Sequence, residues 1–168
     1  MANVNGAFGL KPINLAGAAP NSTGTTAYII ASNASAIYQG SPVIATNGGT
    51  IAITGSASGD TYQHVGVFAG CEYVSSVTGK KTWSNYWPGS GANTNFDVVG
   101  FVYDNPMARF IIATDASFTN EATAKAAVFE NAKMSSGTGG STTTGISSAA
   151  FDIDGIDNTD TSLPFKIV

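Results

Sequence analysis

The sequence predicts a mainly-β chain: a single β-barrel or β-sandwich domain with an extended N-terminal arm and one short helix. Three observations carry this. Short runs of β-branched and aromatic residues recur along the chain, separated by clusters of Gly, Ser and Asn. Two of the runs alternate cleanly with a period of two, the spacing that places side chains on one face of a strand. A single stretch carries helix-forming residues with matching start and stop signals, too little helix for an α/β architecture.

The arm comes first, over residues 1–26. Phe8, Leu10, Ile13 and Leu15 are interleaved with Gly6, Gly9, Pro12, Gly17 and Pro20, which suits neither helix nor regular strand. After Lys11 there is no charged residue until Asp60, so the reading is of an extended segment laid against a protein surface, its own or a neighbour's. The β domain follows over residues 27–168. Strand-prone runs stand at residues 28–31, 37–38 and 42–45, and residues 50–54 alternate between two Gly-containing breaks.

Residues 64–89 read as the hairpin around which the chain is organised. Val65, Val67, Ala69, Cys71 and Tyr73 recur at every second position, and His64, Gly66, Phe68, Gly70 and Glu72 fall on the other face. Gly66 and Gly70 leave room for a bend or a close backbone. A turn over residues 75–81 leads into a return strand that runs to Trp87 and stops at Pro88-Gly89. Beyond a Gly/Asn loop, residues 96–103 and 109–113 read as strands joined by an Asp104-Asn105-Pro106 turn. The helix is placed at residues 119–133, capped by Thr119 or Asn120, with Glu121 in its first turn and Lys133 in its last. Its buried side would be Phe118, Ala122, Val128 and Phe129. Residues 135–145 read as a flexible low-complexity loop, with strand sequence again at 146–153 and 163–168.

Composition excludes several classes of function. A chain of 168 residues is most simply one domain. Charged residues are only 11% of it, and the six lysines and Arg109 are scattered, which argues against nucleic acid as a partner. A single cysteine forbids an internal disulfide, and no apolar run approaches the ~18 residues of a membrane span. The opening residues lack the basic start and apolar run of a signal peptide, so a soluble protein made in a cytoplasm is expected.

The search for chemistry yields no catalytic group. His64 and Cys71 are the only residues of their kinds, and on a regular strand their odd separation sends them to opposite faces. Cys71 reads as a core side chain and His64 as a surface or edge histidine near Glu72. One Cys and one His do not make a zinc site, and the glycine-rich stretches lack the ending of a P-loop. Asp152, Asp154, Asp157 and Asp160 have the wrong spacing for an EF-hand and read as a solvated acidic turn. No cofactor and no metal are expected. Tyr73, Trp83, Tyr86 and Trp87 remain: a core, a row of rings for stacking sugars, or a protein interface are the three uses such a set can have.

Several stretches carry a family resemblance. Asn5-Gly6-Ala7-Phe8-Gly9-Leu10-Lys11-Pro12, then Ile37-Tyr38-Gln39-Gly40-Ser41-Pro42-Val43, resemble the opening of a family of small structural proteins of tailed bacteriophages. The likeness continues through residues 65–73, Trp83-Ser84-Asn85-Tyr86-Trp87-Pro88, and Asp104-Asn105-Pro106 with Phe110 after it. Ser41 departs from the pattern, standing where the family often has Asp. The resemblance implies a capsid decoration or cement protein, a mainly-β module on the outer capsid surface of the virion. Its partner would be the phage major capsid protein, contacted by an arm carrying Phe8, Leu10, Lys11, Pro12, Ile13 and Leu15. Self-association as a dimer or trimer is expected beside it. A carbohydrate-binding or host-adhesion module using the aromatic hairpin is the alternative, and neither reading requires an enzyme.

Overall fold

The computed structural model describes residues 6–13, 24–54, 64–136, 139–157, 159–160 and 163–168. In chain order the elements are β1 (Lys11–Ile13), β2 (Thr26–Ile29), β3 (Pro42–Ala45), β4 (Ile51–Ile53), β5 (His64–Val74) and β6 (Lys81–Ser84). Then come β7 (Val99–Tyr103), β8 (Arg109–Ile111), α1 (Glu121–Ala126), β9 (Asn131–Ser136), β10 (Ala150–Asp157) and β11 (Phe165–Lys166). The chain is mainly β, as its sequence predicts.

The eleven-residue β5 is the spine of a six-stranded antiparallel sheet. β7 pairs along one side of it, and the other side is shared by β3 at one end and β6 at the other. β2 lies beyond β7 and β4 beyond β3. The sheet curls until Ile30, just past β2, meets Ile51 of β4 in one parallel bridge. A single bridge is no ladder, so the sheet stays open and sandwich-like. Its concave face holds one core of Ile30, Ile37, Val43, Ile51, Phe68, Cys71, Trp87 and Val102. A second core, Leu10, Val67, Met134 and Ala149, fills the space between this sheet, the β1–β8 ribbon and a β10–β9–β11 sheet.

The regular alternation expected along β5 is interrupted twice. Its register slips opposite Val43/Ile44 and again between Phe68 and Gly70. Each slip switches which parity faces which core. Val67 therefore enters the second core while Phe68, Cys71 and Tyr73 all belong to the first. The return strand is also shorter than expected. Tyr86 donates its N–H to Ser84 Oγ (3.2 Å), bending the chain out of β6, and Trp87 instead exchanges two backbone hydrogen bonds with Ile37.

The N-terminal arm is corrected where it is described. β1 pairs with β8 through Lys11–Ile111, Pro12–Phe110 and Ile13–Arg109, and Leu10 is only 2% exposed in the second core. Residues 6–13 are thus part of the fold. A leucine among Val67, Met134 and Phe110 gains more from burial than it would on an exposed arm.

The helix is corrected too. Asn120 caps it, its side chain accepting the Thr123 N–H while Thr123 Oγ1 accepts the Asn120 N–H, and a Glu121–Lys125 ion pair spans it. It ends at Ala126, far short of residue 133. Ala127 is the buried residue there; Val128 and Phe129 are exposed. From residue 131 the chain is a strand because Ala132 and Met134 alternate into the interior, Met134 in the second core, and β9 gains a ladder on both sides. Nor is the stretch after it a free loop throughout. Ser141 donates its N–H to Ile146 O, Asn85 Nδ2 donates to Thr144 O, and Gln39 bridges Ile146.

Leu10→Ala is expected to lower unfolding free energy by about 2–5 kcal/mol, the range for emptying a buried leucine site. Urea unfolding checks this; an unchanged midpoint would remove Leu10 from the core.

Candidate functional site

The two stretches that open the family resemblance meet in space. Leu10 donates its N–H to Gly40 O (2.9 Å), Gly40 donates to Phe68 O (2.8 Å), and Phe68 donates to Ser41 O (2.9 Å). Gly9 and Gly40 both have positive φ, +71° and +87°, a region that disfavours any side chain. A Cβ on Gly9 would also lie 2.7 Å from Gly40 O and 2.8 Å from Ser147 Cβ. Ser41, fully buried, donates its hydroxyl to Ser147 Oγ (3.0 Å). So the Phe-Gly-Leu and Gln-Gly-Ser-Pro stretches form one anchor that ties the N-terminal segment to β5. Phe8 lies at its rim, 36% exposed; Lys11 is exposed, and Pro12 and Ile13 are half-buried. Leu15 lies outside the described residues.

The aromatic hairpin does not present a row of rings. Trp87 is buried in the first core, where Tyr73 meets it edge to face at 5.4 Å. Tyr86 is half-buried and stacks on buried Tyr38 at 5.6 Å. Only Trp83 of the four is exposed, at 65%, and it stacks flat on Phe101 with ring centres 5.7 Å apart. Lys81 Nζ stands 5.4 Å from the indole centre and 2.7 Å from Glu72 Oε1. Phe101 escapes a reading of the sequence because β7 reaches Trp83 only across β5, a neighbourhood that strand order creates.

The polar candidates are kept apart. Burial pushes the Cys71 thiol up to about 12, and it donates to Tyr86 O (3.4 Å). His64 stands at the far end of β5 from Glu72, contrary to expectation, with its ring on Phe165 at 5.5 Å. Asp152 pairs with Lys133 (3.3 Å), and Asp157 accepts two hydrogen bonds from Thr159, which hold its carboxyl below the usual range. Among the described residues no three His, Cys, Asp or Glu side chains converge on a metal position. A groove of about 520 Å³ runs between α1 and β10, lined by Phe118, Thr123, Ala127, Glu130, Ile153 and Asp154 among others. It holds no nucleophile paired with a base. No helix is long and apolar enough to cross a membrane among the described residues.

No family model, curated protein or solved structure matches this chain.

The two tryptophans are expected to part company on truncation. Trp87→Ala should cost about 3–5 kcal/mol and Trp83→Ala no more than ~1 kcal/mol, read from denaturant midpoints. Equal costs would contradict the burial difference. At pH 8 the Cys71 thiolate fraction is about one in ten thousand, so a thiol reagent should label the native chain only as it unfolds. Rapid labelling without denaturant would show the site to be open.

Proposed function

We propose that this chain is a capsid decoration protein: a non-enzymatic module that sits on the outer surface of a phage shell and bridges neighbouring major capsid subunits. The observation that carries the reading is the anchor between residues 9–10 and 40–41. The two stretches in which the chain resembles such proteins, thirty residues apart in sequence, are built against each other by backbone hydrogen bonds and two positive-φ glycines. A resemblance spread over unrelated surface positions would carry less weight than one that specifies a joint.

The anchor changes how an arm would work. Leu10, Pro12 and Ile13 serve the fold, so capsid contact falls to Phe8 at the rim of the joint and Lys11 on the exposed side of β1. Residues held on a joint that is itself hydrogen-bonded to β5 have less freedom to lose on docking than the same residues on a free tail. Many equivalent sites on a shell then turn a modest interface into firm retention. The low charge suits such a partner, since few ionic groups need be desolvated on docking.

Sugar binding through the hairpin is the second reading, and the exposed Trp83 ring alone favours it, because Tyr73 and Trp87 face the core.

The test is co-sedimentation of the purified chain with shells stripped of decoration. Saturable binding is expected, and Phe8→Asp with Lys11→Glu should reduce occupancy at least tenfold while the circular dichroism spectrum is unchanged. Absence of saturable binding by the unaltered chain would sink the reading.

A further inference from the structure

Apolar wall, uncompensated charge and strained backbone coincide at the groove between α1 and β10. Its volume is about 520 Å³, with Phe118 and Ala127 on the side of α1 and Ile153 and Ile156 on the side of β10. A bulge builds the strand side: Phe151 pairs with Met134 and Ile156 with Ala132, so residues 152–155 stand opposite Lys133 alone. Bulges re-aim side chains beside binding sites, and this one places Ile153 and Asp154 in the groove. Of the carboxylates nearby, Asp152 is paired with Lys133 (3.3 Å), Glu121 with Lys125 (2.6 Å), and Asp115 accepts the Ile153 N–H (3.1 Å). Glu130 and Asp154, the two that line the groove, are in no ion pair among the described residues. Glu130 is half-buried, so part of its hydration is already lost without a counter-charge. Immediately before it, Phe129 is 71% exposed and held at φ +72°, its N–H donating to Ile167 O (2.9 Å). A bulky residue at positive φ is strained where glycine would serve, and this ring belongs to neither core.

We propose that this groove docks a segment of another protein, an apolar peptide bearing arginine or lysine. Charge selects the occupant. Residues 113–168 hold seven acids and three lysines, and with them the whole of the chain's net charge of -4. A cation entering between Glu130 and Asp154 supplies the counter-charge that both lack, and apolar neighbours on the same segment cover Ile153 and Ile156. Phe129 offers a ring face to a guanidinium or ammonium group, and its constrained backbone fixes that ring beside the groove. Other occupants fit less well. A second copy of this chain brings the same excess of acids, and nucleic acid or an anionic lipid surface is repelled. A small molecule would be left largely wet, because the groove lies open along the surface whereas such sites enclose most of their ligand.

Fluorescence anisotropy on the full chain tests it, with a labelled peptide of alternating leucine and arginine about eight residues long, roughly 27 Å when extended. Saturable one-to-one binding is expected, at least about tenfold tighter than for the same peptide with serine in place of leucine or glutamate in place of arginine. Glu130→Gln and Asp154→Asn should each weaken it at least about threefold and together at least about tenfold. Asp97→Asn, an equal change of charge at an exposed position away from the groove, should leave it intact. Phe129→Gly should weaken binding yet raise the thermal midpoint, two effects that a purely structural ring would not give together. Circular dichroism establishes that the variants fold. Absence of saturable binding, equal affinity for the serine or glutamate peptide, or an Asp97→Asn loss as large as that of Asp154→Asn overturns the proposal. So does Phe129→Gly with unchanged affinity, or a concentration-dependent dimer abolished by Glu130→Gln, which would assign the groove to a second copy. None of these outcomes bears on shell co-sedimentation, which judges the decoration reading separately.

Discussion

The backbone hydrogen bonding of β5 is what the remainder of the structure depends on. It is paired on both edges along most of its length, with β7 on one side and β3 then β6 on the other. Its two register slips let one strand contribute to two cores, Val67 to one and Phe68 and Cys71 to the other. A strictly alternating strand would give each core one fixed parity. The slip between Phe68 and Gly70 is what turns Phe68 and Cys71, of opposite parity, to the same core.

Glycine serves this arrangement in two different ways. Gly9 and Gly40 supply backbone conformations that other residues adopt at a cost, and so fix the N-terminal segment against β5. Gly66 supplies space, since a side chain there would run into the Tyr103 carbonyl of the neighbouring strand. Gly70 does the same beside the Ser84 carbonyl, where the chain leaves β6.

The surface divides along the same lines. Ion pairs among the described residues are few: those on β5–β6 and β9–β10 join neighbouring strands and that on α1 lies within the helix, and side chains in all three are partly or largely exposed to solvent. They contribute little to stability at such positions. Stability rests on the two cores.

The sequence by itself determined the β class, the β5–β6 hairpin, strands β3 and β4, the Asp104-Asn105-Pro106 turn and the burial of Cys71, because each depends on local alternation or turn chemistry. It also narrowed the helix cap to Thr119 or Asn120, of which Asn120 makes the capping hydrogen bonds. Tertiary structure decided where the helix stops, since Ala132 and Met134 have helix-compatible composition and become strand only when β10 and β11 pair on both sides and the second core receives Met134. It decided that Leu10 belongs to the fold and that Trp87 is core while Trp83 is surface. Those outcomes depend on which distant strands lie alongside, and no local pattern encodes that. The same holds on the outer face of the main sheet, where Trp83, Glu72, Val99 and Ile29 fall in one row only through the order of β6, β5, β7 and β2.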